Sequence, residues 1–374
     1  MVFFSHFISF TMTLFPLLPL LAAWLAAAGS EPTPAPVPAP PAGFAIAPAY
    51  YEASDFGEGL AAVTIVREGP AGGYDKGYID RSGKLVLPPR YQQAHLFVGG
   101  LAFVSLADGK PLQGIDRTGK VVLKEEFEMA PDFAEGLAPV RQSKQHTEGK
   151  YGYLNASGAV VIPYRFSKAY SFSEGLAAVQ LNGKWGYIDR TGKLVIAATL
   201  EAGAGFVEGL APCPKGGKWG FIDKTGKFVI APKYAGAFPF AEGLAAVAVG
   251  ADISKAGFVD KTGRLVIPGV WEPASAPVFS GGRLAVKQGN KCGYLDKTGK
   301  LVVPLRYDAA ERFSEGVAQV KQGDQIGFID AAGKLVIPLQ PLASVHSSHE
   351  GLIAARAGEG GQYGFLRNPL YKQK

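Results

Sequence analysis

EGLAAVQLNGKWGYIDRTGKLVI, Glu174 to Ile196, is followed by EGLAPCPKGGKWGFIDKTGKFVI, Glu208 to Ile230. In the first copy, Leu176 to Leu181 is apolar-rich and ends at Asn182-Gly183. Asn-Gly suits a type I′ hairpin, whose two central residues both need positive φ. Lys184 to Asp189 is a second run, and Asp189-Arg190-Thr191-Gly192 turns the chain again into a third, Lys193 to Ala197. In that turn Asp accepts from nearby backbone N–H groups and Gly supplies the left-handed residue. The stretch therefore predicts a three-stranded antiparallel meander. Trp185 and Tyr187 share one face of its central strand, Gly186 and Ile188 the other. Leu194-Val195-Ile196 is apolar on both faces, which predicts a strand covered from both sides.

Outward from this stretch the same unit recurs. Its Phe-x-Glu-Gly glycine falls at Gly59, Gly100, Gly136, Gly175, Gly209, Gly243, Gly282, Gly316 and Gly351, a period of 34 to 41 residues. Irregular returns such as PLRYDAAERFSEG, Pro304 to Gly316, join the copies. One unit buries too few side chains to offset the ordering of its own chain, so the units must stack. The fold expected is all-β: nine tandem meanders of 34–41 residues in an open curved solenoid or superhelix. Three strands fall short of the four usual in a propeller blade, and nine blades would be uncommon. The alternative is a closed, propeller-like ring. Phe44-Ala45-Ile46-Ala47-Pro48 reads as a third strand, like Phe228 to Tyr234, and the last unit stops on a second strand, Tyr363 to Asn368. In a ring those ends would complete one another.

The first thirty residues carry no Lys, Arg, Asp or Glu, and Phe7 to Ala28 is mostly apolar. Residues 1–28 are expected to be a secretory signal peptide, with Ala26 and Ala28 fitting an A-x-A cleavage pattern, or else a retained N-terminal anchor. Residues 29–43 form a linker with six prolines between Glu31 and Gly43, and 44–374 the repeat domain. Cys213 and Cys292 lie two units apart, too far for a disulfide between stacked units, and are expected to be unpaired apolar fillers. Cys292 holds the slot of Trp185 and Trp219.

The core KWGYID at Lys184 and KWGFID at Lys218, with flanking TGK and EGL, resembles the WG (KWG) repeat family over Phe44 to Asn368. Other copies read KGYID at Lys76, KYGYLN at Lys150, AGFVD at Ala256, KCGYLD at Lys291, IGFID at Ile326 and YGFL at Tyr363. The resemblance implies a bacterial, often exported β-repeat protein without an assigned activity. It supplies no catalytic residue.

Recurrent acids are expected to be scaffold. Asp80, Asp116, Asp189, Asp223, Asp260, Asp296 and Asp330 are each accounted for by the turn. Glu58, Glu135, Glu174, Glu208, Glu242, Glu315 and Glu350 recur in too many units to be a single catalytic pair. His346 and His349 are a close pair without an evident third ligand, and Ser348 stands where other units carry Phe, so this end reads as a frayed cap. No nucleophile elbow, phosphate loop or Cys/His pair is present, so no enzyme, cofactor or metal site is expected.

One pattern rises above scaffold. Six turns are basic on both sides: Arg81 and Lys84, Arg117 and Lys120, Arg190 and Lys193, Lys224 and Lys227, Lys261 and Arg264, Lys297 and Lys300. Stacking would line them up as a stripe for an anionic polymer, interrupted at Asn155 to Ala159. The net charge is only +6 and the chain carries no recognition module, which disfavours nucleic acid. The function expected is a non-catalytic, exported binding or scaffold protein, periplasmic, cell-surface or secreted, contacting an envelope protein or glycan. Binding of an anionic polymer through the stripe, or a purely structural spacer, are the alternatives. Any membrane contact would run through the N-terminal segment. Recognition would fall in the variable stretches Gly69 to Lys76, Ser143 to Lys150 and Pro268 to Gly282.

Overall fold

The computed structural model describes residues 43–372, except 68–71, 128–129, 142–148 and 250–254. The signal or anchor segment 1–28 and nearly all of the linker 29–43 lie outside the described residues, as do parts of the first two variable stretches.

Local chemistry builds each unit as its turns dictate. Asn182 and Gly183 sit at φ 50° and 78°, the type I′ conformation. At the second turn an Asp189 carboxylate oxygen accepts the Thr191 and Lys193 backbone N–H groups at 2.9 and 3.1 Å, and the Thr191 hydroxyl at 2.6 Å. These turns join Ala177–Leu181, Lys184–Ile188 and Leu194–Leu200 into one antiparallel ladder.

The glycine of the WG motif has a packing reason. A Cβ on Gly186 would lie 2.6 Å from the carbonyl oxygen of Ile196, because the third strand bulges onto it. Only glycine lets the two backbones approach this closely.

The described residues form nine antiparallel sheets, all β, with no helix and so none able to cross a membrane. Seven of the sheets have four strands, not three. The return loop supplies the extra one, as short as Lys168–Ala169 in the fourth unit or as long as Glu52–Gly57 in the first.

The open solenoid expected from the sequence is corrected by the last sheet. Leu342–Val345, Leu352–Ala357 and Tyr363–Arg367 are completed by Phe44–Tyr50 from the other end of the described chain. The chain therefore closes into a nine-bladed ring, the alternative architecture. The closing junction repeats the ordinary ones. A Cβ on Gly364 would meet the Ile46 carbonyl at 2.5 Å, as Gly186 meets Ile196. Between ordinary blades, Tyr187 packs on Phe206 at 4.9 Å and donates its hydroxyl to the Ala204 carbonyl at 2.8 Å. At the seam, Phe365 packs on Phe56 at 5.0 Å in the same way. Closure removes two open stack ends, each of which would leave such a core uncovered.

The core is thus a series of apolar clusters between neighbouring blades. Trp185 and Tyr187 face the fifth blade with Phe206 and Cys213, while Ile188 faces the third with Tyr153 and Phe166. The expectation that Leu194-Val195-Ile196 is covered on both faces fails: Leu194 is 40% and Val195 47% exposed, and only Ile196 is buried. This strand is the outer edge of its blade, where radiating sheets diverge and neighbours no longer reach. Its edge is protected by the bulge, and in most other blades by a proline such as Pro163, Pro232 or Pro304. Cys213 and Cys292 are free and buried, as expected.

Candidate binding face

Antiparallel order fixes which turns share a face. The Phe-x-Glu-Gly turn joins the first and second strands and the Asp-x-Thr-Gly turn the third and fourth, so both lie on one face of the ring. Around its inner part runs a belt of glutamates, each reaching the next blade. The Glu174 carboxylate accepts the Gly209 N–H at 3.0 Å, Glu208 that of Gly243 at 3.0 Å and Glu242 that of Gly282 at 2.9 Å. Glu58, Glu135, Glu315 and Glu350 do the same toward Gly100, Gly175, Gly351 and Gly59. All seven adopt left-handed φ of 49–54°. A non-glycine residue is strained there, and the charge-assisted bond to the next blade holds it. The second and seventh blades place Gly99 and Gly281 in this slot instead. The glutamates are scaffold, and their partner is the neighbouring unit.

The belt divides the twelve predicted cations into two rings. The first of each turn's pair folds inward. Lys224, Lys261 and Lys297 form ion pairs with Glu174, Glu208 and Glu242 at 3.1, 3.2 and 3.1 Å. Arg190 donates to the Glu135 carbonyl at 2.7 Å, Arg81 lies over the Tyr371 ring, and the Arg117 guanidinium approaches Gly59. The second of each pair, Lys84, Lys120, Lys193, Lys227, Arg264 and Lys300, is exposed, and among the described residues the five lysines have no side-chain hydrogen-bond or ion-pair partner. Arg264 pairs within its own turn with Asp260 at 3.0 Å. Lys334 is exposed in the equivalent place of the eighth blade. A search for turns basic on both sides passes over it, because Ala331 replaces the inner cation. The predicted stripe is therefore an interrupted rim around one face, in which Arg190, Lys224, Lys261 and Lys297 are bound to the belt.

The turn carboxylates are held in their charged form. Asp189, Asp223 and Asp296 lie below the usual carboxylate range, first because the threonine two residues on donates its hydroxyl. Asp260, bonded by Thr262 and then by Arg264, is lowered to about 2. Burial pushes the Glu174 carboxyl up, but Lys224 and the Gly209 and Glu208 N–H groups outweigh it, leaving it below its ordinary value. Burial raises the Cys213 thiol to about 11, which removes it as a nucleophile at neutral pH.

The last unit is not a frayed cap. Ser348 is buried, and its hydroxyl donates to Glu315 at 2.7 Å and accepts from the Asn368 amide at 2.9 Å. His346 Nδ1 and His349 Nε2 lie 3.0 and 3.4 Å from opposite oxygens of Asp55, which ring closure delivers from the first blade. Among the described residues, no group of three or more His, Cys, Asp or Glu is arranged to hold a metal ion.

Eight segments, 43–65, 77–110, 115–144, 151–185, 185–219, 219–251, 257–292 and 293–325, match the profile described as the WG containing repeat. No curated protein matches the chain. A crystal structure of the eukaryotic initiation factor is similar in fold at 13% identity, with TM-score 0.54, over 79% of this chain and 95% of that one. More distant are a streptogramin B lyase (14% identity, TM-score 0.32, 85% and 93% covered) and Hsv2 of Kluyvelomyces marxianus (10%, 0.35, 79% and 98%).

Proposed function

This chain belongs to the WG containing repeat family, and we propose that its ring is a non-catalytic binding platform acting outside the cytoplasm. Its partner is an acidic envelope component, a polyanionic glycan or an acidic protein surface, held against the turn-bearing face. The observation that carries this reading is the outer rim. Lys84, Lys120, Lys193, Lys227 and Lys300 project into solvent while their inner neighbours are engaged with the glutamate belt or its surroundings. Cations spaced around a rigid ring suit an extended polyanion, because many weak contacts at fixed separation add. Export rests on the charge-free apolar leader. The absence of catalysis rests on the assignment of the recurrent carboxylates to turns and blade junctions and on the buried thiols.

The test is retention of the ring on a dextran sulfate matrix. Lys193→Ala, Lys227→Ala and Lys300→Ala combined should elute at markedly lower salt than the native protein, with the thermal midpoint unchanged. Equal elution of the two proteins would overturn the reading.

A further inference from the structure

A second recognition site lies away from the rim, on the inner wall of the ring. The end of the first strand of blade six, at Ala241, and the segments leading from first to second strand in blades seven to nine line an open-sided cavity of about 300 Å³. This is the lower end of the range for small-molecule sites, enough for a single small ring. Its wall is lined by Val278, Ser280, Arg312, Ser314, Ser347 and His349. Arg312 stands just before the buried Phe313, a position where other blades carry Asp55, Leu96, Asp132, Ser171, Gly205, Pro239, Val278 or Ser347. It is the one basic residue at this level of the ring. Among the described residues its guanidinium has no hydrogen-bond or ion-pair partner, and the side chain is exposed.

The remaining polar groups have a definite donor and acceptor character. The Ser280 hydroxyl donates to the Phe313 carbonyl at 2.6 Å, and that of Ser314 to the Ser348 carbonyl at 2.7 Å. Each has spent its only proton on the next blade, so each offers its oxygen lone pairs to a ligand. The Nε2 of His349 lies 3.4 Å from Asp55. Asp55 also lies 3.0 Å from Nδ1 of His346, so both imidazoles pack against its carboxylate rather than Arg312. The wall thus combines one unpaired cation with the acceptor oxygens of Ser280 and Ser314.

We infer that this cavity is a binding site for a hydroxylated carboxylate the size of one sugar acid. Its carboxylate would pair with Arg312, and its hydroxyls would donate to Ser280 and Ser314. A bare anion fits poorly, because inorganic phosphate brings mainly acceptors to a wall of acceptors. A neutral sugar fits poorly too, because it leaves Arg312 unpaired. The ligand class follows from this complementarity and is independent of the outer rim.

Calorimetric titration of the full chain with D-glucuronate tests it, beside D-glucose, acetate and inorganic phosphate. Glucuronate should bind at least tenfold more tightly than each of the three. Arg312→Gln should weaken it tenfold or more with the thermal midpoint unchanged, and Ser347→Ala, which keeps the cation, should weaken it less. The rim variant at Lys193, Lys227 and Lys300 should bind glucuronate as the native chain does, which separates the two sites. No heat from glucuronate, equal binding of phosphate or acetate, or full affinity in Arg312→Gln would each overturn the assignment.

Discussion

Glu350 and Gly59, 291 residues apart, meet across the seam of the ring, where the Glu350 carboxylate accepts the Gly59 backbone N–H at 2.9 Å. The bond is the one Glu174 makes to Gly209 between adjacent units. Removing it separates two effects. Glu350→Ala loses a charge-assisted hydrogen bond and should lower stability by about 1.5–3 kcal/mol. Glu350→Gly loses the same bond but relieves the left-handed φ of 51°, as Gly99 and Gly281 do naturally, and should be milder by about 1 kcal/mol. Urea denaturation midpoints of the two variants give the order, and a milder alanine variant would contradict it.

Gly186→Ala places a methyl group 2.6 Å from the Ile196 carbonyl oxygen and 2.8 Å from the Ala198 nitrogen. Neither atom is the end of a flexible side chain, so the bulged outer strand must shift. A loss of about 1–3 kcal/mol is expected. Alanine at Gly175, which has open space around it, isolates the φ cost from the clash.

Trp185 is 7% exposed and stacks on Tyr170 with ring centroids 5.1 Å apart. Trp185→Ala should cost about 3–5 kcal/mol in chemical denaturation. A loss below about 1 kcal/mol would mean that the ring contributes little packing.

Acid sensitivity has a defined source in the turns. The Asp260 carboxyl falls from 3.8 to about 2 on folding, so its stabilisation is present above pH 4 and is lost as pH drops toward 2. Asn155 already builds the same turn with an amide oxygen accepting from Ser157 and Ala159 at 3.0 Å. Asp260→Asn should therefore fold normally, and its deficit relative to the native protein should shrink between pH 4 and pH 2. A deficit independent of pH would remove the carboxylate as the cause.

Much of the blade was legible because its determinants are local. Asn182-Gly183 and Asp189 to Gly192 specify their turns within a few residues, and the repeated Phe and Tyr positions marked the core. The ring was less legible. Curvature depends on how blade faces wedge together, and the inner strand Lys168–Ala169 is too short to show a period of two. The apolar pair Leu194-Val195 suggested burial because alternation cannot tell a central strand from an edge where neighbours diverge. The cations were found but not their division, since the Lys224–Glu174 pair spans 50 residues and depends on blade order. The meeting of His346 and His349 with Asp55 is a product of closure alone. The closing ends themselves were written in the sequence, as a third strand at Phe44 and a second at Tyr363.

Closure is the claim on which the seam and the ring-shaped rim both depend. Tyr50 and Tyr363 are paired across the last sheet, so cysteines at these two positions, with Cys213 and Cys292 replaced by alanine, should form an intramolecular disulfide on mild oxidation. The account predicts a monomeric band of altered mobility that reverts on reduction. An open stack holds these residues at opposite ends, and recovery of only free thiols or intermolecular dimers would contradict the ring.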